Sequence, residues 1–168
     1  MALTILPANP ECPDFVGEVG GIDLRRPVPR EAVAEIEAGM DRFAVLVFRD
    51  QRLDDEQQLA FTRNFGPLEL ATGDFQQKDR RLLMAVNDIS NLDRDSKVLA
   101  RDDRTRLFGL GNMLWHSDSS FKATPAKYSL LSARIIPSSP GGNTEFADMR
   151  AAWDAIDGET RDLVQDLV

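Results

Sequence analysis

The chain contains a single histidine, His116, and an aspartate follows it two residues later in the run Trp115-His116-Ser117-Asp118-Ser119-Ser120-Phe121. On an extended strand, residues i and i+2 project to the same side. His116 and Asp118 can therefore offer an imidazole nitrogen and a carboxylate oxygen to one cation. They supply two of the three protein ligands of the 2-His-1-carboxylate set that holds non-haem Fe(II). The same pair also suits Mn(II) or Zn(II), and residue type alone does not choose between them. No second histidine is present to complete the set.

Taken alone, H-x-D is a common pair, and a lone histidine is more often a hydrogen-bonded structural residue than a ligand. Its flanks add something. Trp115 and Phe121 would give the pair apolar neighbours, and a dry shell controls access and redox chemistry at a metal. Other constellations fail. The sequence holds no cysteine pair for zinc, no phosphate-binding P-loop, no dinucleotide-binding glycine fingerprint and no G-x-S-x-G elbow. A Ser-His-Asp triad would have to use His116, and nothing marks one serine as its nucleophile.

The 168 residues have the length of one domain with one core. The composition is ordinary for a globular protein, 42% hydrophobic and 29% charged. A formal charge of −8 argues against non-specific binding to nucleic acid or an anionic membrane. Cys12 is the sole cysteine, so no intrachain disulfide can form, and a reducing cytoplasm is the expected location. No basic flank precedes an apolar run at the N-terminus, and the apolar runs are too short to span a bilayer.

The elements that must position the pair can be read from periodicity and punctuation. Pro7, Pro10, Pro13, Gly17, Gly20 and Gly21 imply short strands and turns at the start. Val33, Ile36, Met40 and Phe43 recur at steps of three and four, which predicts a helix over 31–43. Residues 44–48 read as a buried strand. Asp54 or Asp55 can cap a second helix with Leu59, Phe61 and Phe65 inward, ended by Gly66-Pro67. Further strands are expected at 82–86, 128–136 and 144–146, with a turn at Pro140-Gly141-Gly142. The polar stretch 88–106 reads as a long loop, either a lid or binding loop or a solvated one. Asp148 can cap a helix through Ile156, and Leu163, Val164 and Leu167 fall at helical spacing near the C-terminus.

A longer pattern surrounds the H-x-D. Gly111-Asn112-Met113-Leu114 leads into it, and Pro125, Tyr128-Ser129, Leu131-Ser132-Ala133 and Pro137 follow. Beyond these comes Gly141-Gly142-Asn143-Thr144-Glu145-Phe146-Ala147-Asp148-Met149-Arg150-Ala151-Ala152. With residues 45–51, 57–67 and 88–91, this order resembles the family of taurine dioxygenase and 2,4-dichlorophenoxyacetate dioxygenase. The likeness to the 2,4-dichlorophenoxyacetate branch is the greater, through Leu114–Phe121 and Thr144–Ala152. The family's members are Fe(II)- and 2-oxoglutarate-dependent oxygenases.

The resemblance implies a mixed α and β fold, a double-stranded β-helix (jelly roll) with flanking helices. It implies that His116 and Asp118 bind Fe(II) and that the Thr144 hydroxyl donates to a carboxylate of 2-oxoglutarate, a task suited to a side chain with a donor and a methyl. It places Asn91 and Lys97 by the substrate entrance, where Lys97 could pair with a substrate carboxylate. The implied reaction couples decarboxylation of 2-oxoglutarate by dioxygen to hydroxylation of a small carboxylate substrate. For an aryloxyalkanoate, hydroxylation at the ether carbon leads to ether cleavage; a sulfonate such as taurine is the alternative. Association of further copies is left open, and neither nucleic acid nor membrane is an expected partner.

The resemblance also implies a departure. The family's second iron-binding histidine and its 2-oxoglutarate-binding arginine lie in a C-terminal half, and neither Arg134 nor Arg150 occupies that arginine's place. The expectation is one dioxygenase domain over 1–168 lacking that half, truncated and inactive in isolation. A different class stays open: a non-catalytic binding or assembly fragment that folds with a partner, or a metal-binding module without oxygenation.

Overall fold

The computed structural model describes residues 2–69, 81–83, 85–137 and 141–167. They form two compact units, one built from Met1–Ile22, Ala34–Asp50 and Arg134–Val168, the other from Asp23–Val33 and Gln51–Ala133.

In the first unit, strands β1 (Thr4–Pro7), β2 (Val16–Gly20) and β3 (Val45–Phe48) form a sheet in the order β1-β2-β3. β1 and β2 are antiparallel, with Ile5 opposite Val19. β2 and β3 are parallel, with Val16 opposite Val45 and Val19 opposite Phe48. A parallel pair needs a crossover rather than a tight turn, and helix α1 (Arg30–Phe43) lies between the two strands in sequence. Its expected apolar face is realised: Ile36 and Phe43 are buried, and Val33 and Met40 half-buried. Phe43, 1% exposed, anchors this core. Gly17 makes the close approach there, because a Cβ at that position would stand 2.8–2.9 Å from side-chain carbons of Phe43, Ile5 and Leu46. Helices α4 (Met149–Ala155) and α5 (Gly158–Val164) belong to the same unit, each begun by an aspartate. Asp148 accepts from the Arg150 N–H at 2.9 Å, and Asp157 from the Thr160 N–H at 2.8 Å.

In the second unit, α2 (Asp55–Thr62) starts on the expected cap. Asp54 is the capping residue: its carboxylate accepts from the Gln57 N–H at 2.8 Å, and the Gln57 side chain accepts from the Asp54 N–H at 3.0 Å. This reciprocal box satisfies two N–H groups that a helix start leaves open. Asp55 has another task and accepts from the Leu83 N–H at 3.0 Å. A 3₁₀ turn, Arg63–Phe65, follows, and Gly66 ends it at φ 133°. Among the described residues of this unit, Leu24, Leu59, Phe61 and Val86 are the buried apolar ones.

Several expected strands are absent from the described residues. The one at 82–86 falls partly on residue 84, outside those described; the rest is bend and turn, with the Val86 N–H on the Leu83 carbonyl at 2.9 Å. Residues 128–136 and 144–146 enter no ladder. β propensity expresses fit to neighbouring strands more than a backbone preference, and these segments have no paired neighbour here. The turn at 140–142 begins outside the described residues, and Gly141 and Gly142 both take positive φ, 123° and 71°.

The stretch 88–106 is less open than a solvated loop. Leu92 and Val98 form an antiparallel bridge, and the Leu99 N–H donates to the Asn91 carbonyl at 2.9 Å. Asp93 closes the turn, its Oδ1 accepting from the N–H groups of Asp95 and Lys97, each at 2.9 Å. From Asp103 the chain enters helix α3 (Arg104–Gly109), then a 3₁₀ turn, Leu110–Met113. That helix was not expected. Its start is set by Asp103, which accepts from the Thr105 N–H at 2.8 Å.

Candidate metal centre

The chain leaves the 3₁₀ turn at Leu114 in extended backbone, φ −90° and ψ 144°, and His116 follows within an irregular segment. No strand ladder holds it, so local hydrogen bonds do. His116 Nδ1 lies 2.7 Å from the Leu114 carbonyl oxygen. A carbonyl only accepts, so Nδ1 is the donor in this contact, and in a neutral ring the lone pair is then on Nε2. A metal-ligating histidine is oriented in this way, through its second nitrogen.

That free nitrogen faces Asp118. His116 Nε2 and Asp118 Oδ1 are 3.4 Å apart. The other carboxylate oxygen, Oδ2, accepts a hydrogen bond from the Ser129 hydroxyl. Each side chain thus has one polar atom engaged and one turned toward the other residue. Two ligand bonds of about 2.1 Å can converge on one ion from atoms at this separation, so the pair fits a divalent cation. Among the described residues no group of three His, Cys, Asp or Glu side chains gathers for a metal.

After Asp118 the backbone turns sharply. Ser119 has φ 58°, and the Lys122 N–H donates to the Ser119 carbonyl at 3.0 Å. Glu69 clamps this turn from 50 residues upstream, accepting from the Ser119 hydroxyl at 2.8 Å and lying 2.7 Å from the Lys122 ammonium. The Lys122 contact, then the Ser119 hydroxyl, hold the Glu69 carboxyl below its ordinary 4.5.

The expected dry shell is not formed by the described residues. Trp115 and Phe121 are 69% and 77% exposed, and the side chains of His116 and Asp118 are 47% and 58% exposed. Aromatic side chains shield a site only when packed over it, and these two are turned to solvent.

Asn91 and Lys97 lie at the base and in the turn of the bridged loop, both exposed. Arg81 organises that loop. Its guanidinium grips Asp88 with two hydrogen bonds, 2.7 and 2.8 Å, and donates to Ser90 at 3.0 Å. Thr144 belongs to the first unit, in the irregular, exposed stretch before Asp148. His116 and Asp118 are therefore the predicted residues that the structure visibly brings together. Reading the sequence missed Ser129, Glu69, Lys122 and the Leu114 carbonyl. A hydroxyl 11 residues away and a carboxylate 50 residues away leave no periodic signal.

Residues 7–168 match the family model described as "Taurine catabolism dioxygenase TauD, TfdA family". This chain belongs to the TauD/TfdA family. It is 50% identical over 161 residues to an alpha-ketoglutarate-dependent 2,4-dichlorophenoxyacetate dioxygenase of Cupriavidus pinatubonensis, covering 95% of this chain and 55% of that protein. It is 40% identical over 135 residues to an (S)-phenoxypropionate/alpha-ketoglutarate-dioxygenase of Sphingobium herbicidovorans, covering 79% of this chain and 42% of the relative. The crystal structure of AAD-2 in complex with Mn(II) and N-oxalylglycine superposes with a TM-score of 0.90 at 54% identity, covering 99% of this chain and 57% of that one. The chain thus spans about half the length of the relatives it matches. Its TauD/TfdA helices include none, among the described residues, that is long and apolar enough to cross a membrane.

Proposed function

We propose that this chain carries the iron-binding His-x-Asp portion of an Fe(II)- and 2-oxoglutarate-dependent dioxygenase whose substrate is an aryloxyalkanoate. The observation that carries the reading is the pairing of His116 Nε2 with Asp118 Oδ1, 3.4 Å apart, with Nδ1 and Oδ2 engaged elsewhere. A tautomer set by Leu114 and a carboxylate held by Ser129 make a two-atom chelate for one cation. The substrate class follows the named activities of the relatives, a dichlorophenoxyacetate and a phenoxypropionate dioxygenase. The cofactor pair is supported by AAD-2, which was crystallised with Mn(II) and N-oxalylglycine; the latter has an NH where 2-oxoglutarate has a methylene. The overlay on AAD-2 likewise supports a jelly-roll architecture for the whole enzyme. An exposed free Cys12 is consistent with a reducing, cytoplasmic setting.

On this reading each residue has a stated task. His116 presents Nε2, and Asp118 presents Oδ1 with its negative charge. Thr144, exposed and without a ladder partner, donates its hydroxyl to a 2-oxoglutarate carboxylate. Lys97, exposed in a turn closed by Asp93, offers a cation to the substrate carboxylate, and Asn91 lies at the base of the same loop. Bound iron supplies the activation of dioxygen that side chains cannot perform.

The test is an anaerobic titration of the purified protein with Fe(II) and 2-oxoglutarate, followed by the charge-transfer absorption of the chelate. The expected result is a saturable band, lost in His116→Ala and Asp118→Ala. A band equally strong in both variants would sink the assignment. Succinate formation with aryloxyacetates, compared with taurine, then decides the substrate class.

A second reading has its own observation. In the second unit Met113 and Phe121 are 77–80% exposed, and Leu114 and Trp115 are exposed too. So much apolar surface suits an assembly partner. A stable complex in size-exclusion chromatography, without any response to Fe(II) and 2-oxoglutarate, would favour a non-catalytic assembly role.

A further inference from the structure

We infer that Ser129 is a positioning residue for the metal site: its hydroxyl holds the Asp118 carboxylate so that a single oxygen, Oδ1, is presented beside His116 Nε2. The inference rests on the proposed metal-binding role of His116 and Asp118.

A carboxylate that is 58% exposed turns readily about its terminal torsion, which has broad, two-fold preferences. Either oxygen, or both, could then meet a cation. The Ser129 hydroxyl removes that ambiguity by donating to Oδ2. Oδ1 remains, 3.4 Å from Nε2. The donor is neutral, so it brings no positive charge beside the ion. An arginine or lysine in the same place would compete with the cation electrostatically.

Ser129 can do this because its neighbour is anchored. The Tyr128 ring meets Phe65 edge-on, with centroids 5.7 Å apart and an 85° interplanar angle. Phe65 meets Phe61 in the same way, at 5.2 Å and 82°. Phe61 is buried on α2. Edge-to-face aromatic pairs at these separations are favourable beyond simple area burial. The three rings therefore run from the helix core to the residue next to Ser129. Tyr128 faces Phe65 while Ser129 reaches Asp118, so two contacts on adjacent residues fix the hydroxyl's position. All of these residues belong to the second unit.

The test compares Mn(II) affinity of the wild-type protein, Ser129→Ala, Ser129→Thr and His116→Ala, by electron paramagnetic resonance of the free ion. The metal-free thermal midpoint is measured on the same samples. Loss of an outer hydrogen bond to a ligand typically weakens metal binding by about 10–100-fold. We expect Ser129→Ala to bind Mn(II) at least about tenfold more weakly, Ser129→Thr to restore most of the affinity, and the metal-free midpoint to stay put. Should Ser129→Ala not fold, Ser129→Cys takes its place, since a thiol fills the space but donates weakly. Equal affinity in wild type and Ser129→Ala overturns the inference while leaving the metal reading intact. A lower midpoint with unchanged affinity gives Ser129 a structural role and overturns it as well. Wild-type binding no tighter than His116→Ala overturns the metal reading, and the inference with it.

Discussion

Arg150 donates to the backbone carbonyl of Asp14 at 3.1 Å, across 136 residues of sequence. The same guanidinium donates to the carbonyls of Arg42 at 2.9 Å and Asp41 at 3.4 Å. Asp148 holds it from the other side, with oxygens 3.0 Å from Nε and Nη2. The Arg150 hydrogen bonds pull the Asp148 carboxyl below its ordinary 3.8, and Asp148 raises Arg150 in return. One side chain thus joins the start of α4, the end of α1 and the β1–β2 connection.

Replacing Arg150 by Ala should loosen α4 and the stretch before it without unpairing the sheet. Amide exchange over residues 141–155 should quicken by about tenfold or more, while β2 amides keep their protection. Arg150→Lys should rescue little, because an ammonium cannot span several carbonyls as a planar fork does. Unchanged exchange in Arg150→Ala would remove the strut assignment.

Gly17→Ala should destabilise the first unit. The added methyl would stand 2.8–2.9 Å from side-chain carbons of Phe43, Ile5 and Leu46, two of them strand residues and one the end of α1. Overpacking of this kind costs about 1–3 kcal/mol. A urea midpoint equal to wild type would show that the three neighbours yield freely.

Asp23 should report acid pH. Arg25 holds its carboxylate with two side-chain bonds, 2.8 and 2.9 Å, and a backbone N–H at 3.1 Å. These lower the carboxyl from 3.8 to about 2. Because the folded value is depressed, the contribution is full above 3.8 and fades as pH falls from there through about 2. Carboxyl carbon chemical shifts should titrate near the lower value in wild type and return toward 3.8 in Arg25→Ala. A wild-type titration at the ordinary value would contradict the pairing.

Thr144→Val should test the proposed 2-oxoglutarate contact. Valine keeps the shape and loses the donor, and a hydrogen bond to a charged group contributes about 1.5–3 kcal/mol, roughly tenfold or more in affinity. The 2-oxoglutarate concentration needed to saturate the Fe(II) chelate band should rise accordingly, with Mn(II) affinity unchanged. If saturation does not shift, Thr144 has no part in holding the cosubstrate.

Local chemistry was legible in the sequence wherever one segment settles its own structure. The α1 periodicity and the Asp148 cap depend on residues within a few positions and stand as read; of the two candidate caps for α2 the structure uses Asp54, and Gly66 ends the 3₁₀ turn that follows α2 rather than the helix itself. The proximity of His116 and Asp118 was legible for the same reason, and the family pattern around them gave the pair its meaning. Only tertiary structure could decide the rest. Strand-like composition at 128–136 and 144–146 does not make a ladder, because a ladder needs a partner strand that no local window contains. The parallel pairing of β2 with β3 brings Gly17 of β2 beside Leu46 of β3 and Phe43 at the end of α1, a three-way contact that no single segment contains. Which atom of His116 and which oxygen of Asp118 stay free depends on a carbonyl two residues away and a hydroxyl 11 residues away. Residue types make those hydrogen bonds available; only the folded backbone brings donor and acceptor within reach.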